Sequence, residues 1–282
     1  MLDVNQIVTG EKIQSIADVY IGTNYYFNYN PYVSSQRHKF KDITEIKTHY
    51  YNPRVVYCYG DLIDALGKII HFFINPFVLI THNSDKNIVL EGSVTDILNC
   101  PKLIRWHAQN VDCLHGKLHF IPIGIANRQW EHGNLNIYQF ICENYDIPSM
   151  KNRAVFMNFK IETNPGKRMI CYETLFDKIP FLQFTSAKDN ILRMLEYQFC
   201  ICPEGNGIDT HRLWECFYLQ IVPIVLSSTF TRNIQETTGL PMILLESWKD
   251  FDRTKLPKYE TFDFGPGQKY LHYNHYVKQI IS

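Results

Sequence analysis

The residues best equipped for chemistry fall in one run, Cys202-Pro203-Glu204-Gly205-Asn206-Gly207-Ile208-Asp209-Thr210-His211-Arg212-Leu213-Trp214-Glu215. The run follows a β-rich stretch, and its two glycines free the backbone ahead of a helix opened by Asp209 or Thr210. Backbone amides at such a helix start, with the positive end of its dipole, suit a diphosphate. Arg212 stands in the first helical turn, where a guanidinium reaches a phosphate as a fork. Glu215, three residues on and on the same face, can accept two hydrogen bonds from a ribose diol. The same residues also fit a glycine turn before a capped helix, with Arg212 and Glu215 as a surface ion pair. Spacing alone leaves both readings open.

A second group lies in the first half of the chain, which holds most of the histidines, at 38, 49, 71, 82, 107, 115, 119 and 132. His82 and Asp85 follow an apolar strand-like run, as do His107, Gln109 and Asn110 after residues 102–106. Residues 127–132 follow another, and there Trp130 beside polar neighbours has what a sugar platform needs: an apolar face for ring C–H groups, with acceptors such as Glu131 for hydroxyls. A boundary tryptophan is the plainer reading. Gly60-Asp61-Leu62-Ile63-Asp64 matches the G-D-x-x-D element of dinuclear metallophosphoesterases, and Thr81-His82-Asn83-Ser84-Asp85 is loosely similar to their G-N-H-D element. Two-metal hydrolysis needs further His and Asp ligands. An upstream D-x-H and a later G-H-x-H are absent, and Asp61 and Asp64 equally suit the first turn of a helix. A metal-dependent phosphoesterase is therefore the alternative, and no metal ligand is assigned.

These residues must be held by loops after strands. In the second half, runs at 153–159, 180–184, 199–203, 221–226 and 241–246 alternate with helix-like stretches near 165–178, 188–197, 209–219 and 229–237. Continuous apolar strands separated by helices predict βαβ units and a parallel sheet covered on both faces. The first half has the same grammar: strands at 55–59, 77–81, 102–106 and 117–123, with helices at 61–73, 93–99 and 134–145. Residues 146–149 read as a linker, the opening fifty residues show no period, and residues 267–282 read as a terminal helix. Ligands of such sheets bind outside the strand carboxyl ends, where the strand order reverses.

Composition narrows the class. The chain has 282 residues, 45% apolar and 20% charged, which is ample for packed cores and excludes wholesale disorder. Net charge is zero with pI about 7.1, so a nucleic-acid partner is not expected. The eight cysteines include no C-x-x-C pair, and Cys200-x-Cys202 lacks a second pair to complete a zinc site. Cysteines in apolar runs imply a reducing compartment. No signal peptide or membrane-spanning run is legible, so a soluble, cytoplasmic protein is expected. No oligomeric state follows from the sequence.

The run from Pro203 to Val225, PEGNGIDTHRLWECFYLQIVPIV, resembles the C-terminal block of exostosin-like glycosyltransferases: a strand, a P-x-G loop, an R-x-x-E helix, then a strand beginning (I/V)-P-(I/V). SWKDF at 247–251 is similar to their later W-x-x-F block. FVLITHNSDKNI and LIRWHAQNVDCLHGKLHFIPIGIANRQWEHGN are similar to stretches of short xylosyltransferase-type members coded by large DNA viruses of algae and by some bacteria. The resemblance covers roughly residues 54–252. It implies a GT-B fold of two Rossmann-like domains facing a central cleft: residues 1–148 for the acceptor, 149–266 for the nucleotide-sugar, and 267–282 a helix packing back on the first domain. It implies an inverting transfer from a UDP-sugar, xylose among the candidates, to a glycan hydroxyl, with no metal and no other cofactor. Carried over residue by residue, Arg212 meets the diphosphate and Glu215 the ribose. Gly205, Asn206, Gly207, Asp209, Asn158, Lys160 and Arg168 line the phosphate side, and Ser186 the base or ribose. His107, Trp130 and Glu131 are the acceptor candidates. Asp85 is the first choice of general base, with His82 and Asp61 after it. A glycan-binding protein on a decayed transferase fold is the non-enzyme alternative.

Overall fold

The computed structural model describes residues 3–22, 38–40 and 53–282, with backbone alone for 38–40. The aromatic, Asn-rich stretch 24–32 lies outside the described residues. The fold is α/β with two all-parallel sheets, each belonging to one compact unit. One unit is Val8–Ile123 with Tyr273–Ser282; the other is Met1–Ile7 with Gly124–His272.

In the 8–123 unit the strands are β1 (Val19–Ile21), β2 (His38–Phe40), β3 (Val55–Tyr59), β4 (Phe77–His82), β5 (Leu103–Ala108) and β6 (Leu118–Phe120), in the order β2-β1-β3-β4-β5-β6. Every residue of β3 and β4 is buried, the signature of strands covered on both faces. On one face Tyr57, Tyr59, Val78 and Ile80 pack against Ile13 of helix α1 (Gly10–Gln14) and against Tyr276 and Ile280 of the terminal helix Tyr273–Ile281. Helix α2 (Ile63–Ile69) packs against helix α3 (Gly92–Asn99). They approach closely because Gly67 has no Cβ to meet Ser93.

In the 124–272 unit β7 (Arg153–Phe156), β8 (Tyr197–Ile201), β9 (Val222–Leu226) and β10 (Ile243–Leu245) run in the order β10-β9-β8-β7. The helices are α4 (Asn136–Asn144), α5 (Pro165–Leu175), α6 (Ala187–Met194), α7 (His211–Tyr218) and α8 (Thr229–Thr238). The terminal helix becomes α9. Val155, Met157, Phe199, Ile201, Val222 and Ile224 form one apolar face, closed by Cys171 and Leu175 of α5 and by Trp248 and Phe251.

Several expectations change. Residues 180–184 form no strand. Pro180 has no N–H, and the backbone contact beside β7 is the Leu182 amide donating to the Met157 carbonyl at 2.9 Å. The expected division at residue 148 also moves, because the second unit begins at Gly124. The buried face of α4, Ile137, Tyr138 and Ile141, belongs to this unit, with the Tyr138 ring edge-on to Tyr218 of α7. The expected linker is a short turn, Pro148–Met150, beside a buried Ile147. Residues 267–272 stay with the second unit, and α9 alone joins the first. Among the described residues no helix is long and apolar enough to cross a membrane.

Candidate functional site

The loop after β8 is held from two sides. Gly205 closes a tight turn, its amide donating to the Gly207 carbonyl at 3.1 Å, while its own carbonyl accepts from Asn164 Nδ2 at 2.6 Å. Asn164 also caps α5 by accepting from the Lys167 amide. Lys167 pairs with Glu204. A Cβ on Gly205 would meet Arg168 Nη2 at 3.3 Å, so glycine is what lets that guanidinium lie along the loop. Asn206 is exposed and Gly207 buried. Asp209 is buried and does not cap α7. Its Oδ1 accepts from Trp214 Nε1 at 2.6 Å and fixes the helix start from within. Thr210 takes the cap position, and its own side chain makes no capping hydrogen bond.

Two guanidiniums converge here. Arg212 donates from Nε to Glu215 Oε2 at 2.9 Å and from Nη1 to the Asn158 carbonyl at 2.6 Å, over the Phe156 ring. The side chains of Arg212 and Glu215 are 19% and 6% exposed, so this is an interior pair rather than the surface pair that spacing allowed. Burial is the largest influence and opposes the arginine's charge; Glu215, with Cys200, Cys202 and Cys216 added to it, outweighs burial and raises the pKa. Arg168 donates to the carbonyls of Glu204 (2.9 Å) and Lys160 (2.8 Å). Burial, and next the like charge of Arg212, push its pKa down. Two cations close enough to repel, at the carboxyl ends of β7 and β8, form an electropositive locus suited to an anion. Lys160 contributes its carbonyl, and its side chain is exposed. Asn158 bridges outward, Nδ2 donating to the Leu182 carbonyl at 2.6 Å. An adjoining pocket of about 190 Å³ is lined by Cys202, Ile208, Thr210, Leu213 and Trp248, among others.

Ser186 serves as the N-cap of α6, accepting from the Asp189 amide. Glu131 Oε1 accepts from the Ala187 amide at 3.1 Å at the same helix start. Both candidates thus have a capping role. Trp130 is 56% exposed. The loop carrying it turns back on itself through Trp130 N to Asn127 O and Gly133 N to Trp130 O, with Gly133 packed where a Cβ would strike the Ala126 and Asn127 carbonyls. His132 lies between Trp130, with near-parallel rings, and His211 at the start of α7; His211 Nδ1 bonds the Gly124 carbonyl at 2.8 Å. Trp130 and Glu131 therefore belong to the same unit as Arg212, not to the first domain where the sequence reading put them.

In the 8–123 unit the other candidates separate. His82 is buried, with Nε2 3.0 Å from the Pro122 carbonyl and Nδ1 3.4 Å from Asn83 Oδ1, which leaves it a packing role. Asn83 has φ 56°, and its Nδ2 donates to Tyr57 Oη at 2.8 Å, so the loop after β4 turns sharply. Ser84 Oγ donates to Asp61 at 2.5 Å, and Lys86 pairs with Asp64 at 2.5 Å, holding the Asp64 carboxyl below its ordinary range. Asp85 is exposed, and among the described residues nothing hydrogen-bonds its carboxylate. His107 is 2% exposed, with neither ring nitrogen hydrogen-bonded. Burial, then His119 and Arg105, push its pKa down to about 3, so the ring is neutral and offers no surface to an acceptor. Among the described residues of the first half, no three His, Asp or Glu ligand atoms lie within 4.8 Å of one another.

Set against family profiles and against curated proteins, the sequence matches none. Sequence reasoning missed Asn164 and Lys167, which brace the loop with Glu204; Glu204, His132 and His211 stood in the runs it singled out, but without these contacts. Asn164 alone had a local signal, as an Asn before the Pro that opens a helix.

Proposed function

We propose that the chain is a glycosyltransferase that takes a sugar from a UDP-sugar to a hydroxyl of a glycan, without a catalytic metal. The observation that carries the reading is the nearness of two guanidiniums, Arg168 bonded to the 203–210 loop and Arg212 paired with Glu215 at the start of the helix that follows it. In this reading the guanidiniums and the first-turn amides of α7 stabilise the charge that grows on the departing diphosphate. Glu215 accepts the ribose hydroxyls with whatever capacity Arg212 leaves it. The resemblance to exostosin-like enzymes supplies uridine, the GT-B arrangement and inversion.

Trp130 is reassigned within the proposal. Because it shares a unit with Arg212 and is joined to the start of α7 through His132 and His211, it is proposed to stack on the donor's sugar. Asp85 is proposed as the base that takes the acceptor proton, because Asp61 is engaged by Ser84 and His82 is buried.

The deciding experiment measures thermal stabilisation by UDP, GDP and ADP, then release of UDP from a panel of UDP-sugars with magnesium and manganese omitted. A ligand at ~100 times its dissociation constant stabilises by about 2.7 kcal/mol. Selective stabilisation by UDP with metal-free turnover is expected. No stabilisation by any nucleoside diphosphate would overturn the assignment; equal stabilisation by UDP and GDP would remove uridine.

A further inference from the structure

Three thiols that the proposed transfer does not use lie together inside the 124–272 unit. Cys200 lies on β8 and Cys202 just past it, and a strand period of two puts both on one face. Cys216 comes from α7, one helical turn beyond Arg212. The three sulfur atoms all lie within 4.8 Å of one another, with Cys202 Sγ 3.6 Å from Cys216 Sγ. Among the described residues this is the one group of three His, Cys, Asp or Glu side chains whose ligand atoms stand so close. All three cysteines are free and buried.

Thiolates ~2.3 Å from a zinc-class ion stand roughly 3.8–4.0 Å apart in tetrahedral or trigonal arrangements. The observed cluster is already near that size. Its surroundings are cationic: Arg212 interacts electrostatically with all three sulfurs and Arg168 with Cys202. Glu215 is the acid paired to Arg212. Three thiolates with one divalent ion carry a single negative charge; Arg212 is balanced by Glu215, and Arg168 is the further cation near Cys202 that offsets it. Cys202 also lines the pocket beside the loop.

We propose that Cys200, Cys202 and Cys216 bind one thiophilic divalent cation of the zinc class. Three S–H bonds give up their protons to solvent, three metal–sulfur bonds form, and no oxidation state changes. The ion fastens the root of the 202–210 loop to α7. It is a structural site, independent of the transferase reading, and its readouts involve no nucleotide-sugar.

The test titrates cadmium, then zinc, into the whole chain after reduction and removal of metal. Thiolate-to-cadmium charge-transfer absorption should rise to saturation at one equivalent, with proton release, and zinc should displace the cadmium. Cys216→Ser should weaken cadmium binding by more than ~100-fold, beyond the range that outer-shell changes produce. Cys171→Ser, at a buried cysteine outside the cluster, should leave it unchanged. If circular dichroism shows that Cys216→Ser does not fold, the unsubstituted chain decides through the absorption band and the thermal stabilisation at one equivalent. Absence of that band, or its persistence at full strength in folded Cys216→Ser, overturns the site.

Discussion

Truncating Arg212 should be far more damaging than its place beside a surface-looking loop suggests. Arg212→Ala deletes the partner of Glu215, a residue only 5% exposed, and the donor to the Asn158 carbonyl. An exposed ion pair would cost ~0–1 kcal/mol to remove. Stranding a buried charge costs about 3–5 kcal/mol, because the carboxylate loses its counter-ion and regains no water. For a unit of this size that is a fall in Tm of roughly 6–20 °C. The cost belongs to the stranded carboxylate, so Glu215→Gln in the Arg212→Ala background should recover about 2 kcal/mol, a coupling within the range for contacting residues. Equilibrium urea unfolding of the four chains of the cycle, followed by tryptophan fluorescence and circular dichroism, measures both terms. A loss below ~1 kcal/mol, or no recovery in the double variant, would refute the buried-pair argument. Turnover is better read on Arg212→Lys, which keeps the charge but loses the fork. There kcat should fall by ~10-fold or more, while Glu215→Gln should chiefly raise the donor KM.

Three further outcomes are expected. Asp85→Asn, nearly isosteric and exposed, should lower kcat by ~100-fold or more with donor affinity unchanged, measured at saturating acceptor; retained turnover would pass the role of base to Asp61. His107 stays neutral in the fold down to about pH 3, whereas in the unfolded chain it takes a proton near pH 6.5. Its contribution is thus present above pH 6.5 and is lost as pH falls toward 3, by at most ~1.4 kcal/mol per pH unit. His107→Leu should flatten that acid slope in urea titrations, and an unchanged slope would exclude His107 as its source. Gly133→Ala should destabilise by about 1–3 kcal/mol or more, since its Cβ would strike the Asn127 and Ala126 carbonyls, and quenching of Trp130 fluorescence by iodide should change with it.

The alternation of apolar strands and helical stretches was readable because it is local. Full burial of β3 and β4 writes itself into sequence as unbroken apolar runs, and the glycines and Arg212 mark the loop after β8 within fourteen residues. Whatever depends on contacts between distant residues was not readable. The sequence places α4 beside the first half, but its buried face meets Tyr218, and that contact assigns it to the second unit. Trp130 and Glu131 followed, since Glu131 ends on the Ala187 amide and His132 on His211. Short-range spacing put Arg212 and Glu215 on one helix face but could not say whether that face met water or the sheet; Phe156 and the Asn158 carbonyl decided it. Cys200 and Cys202 showed no second pair along the chain, because the third thiol comes from a helix that only the packing of α7 against the sheet brings within reach. Periodicity reports which residues must be hidden, whereas what they are hidden against is set by long-range packing, and here that packing sets the charge and the chemistry of the site.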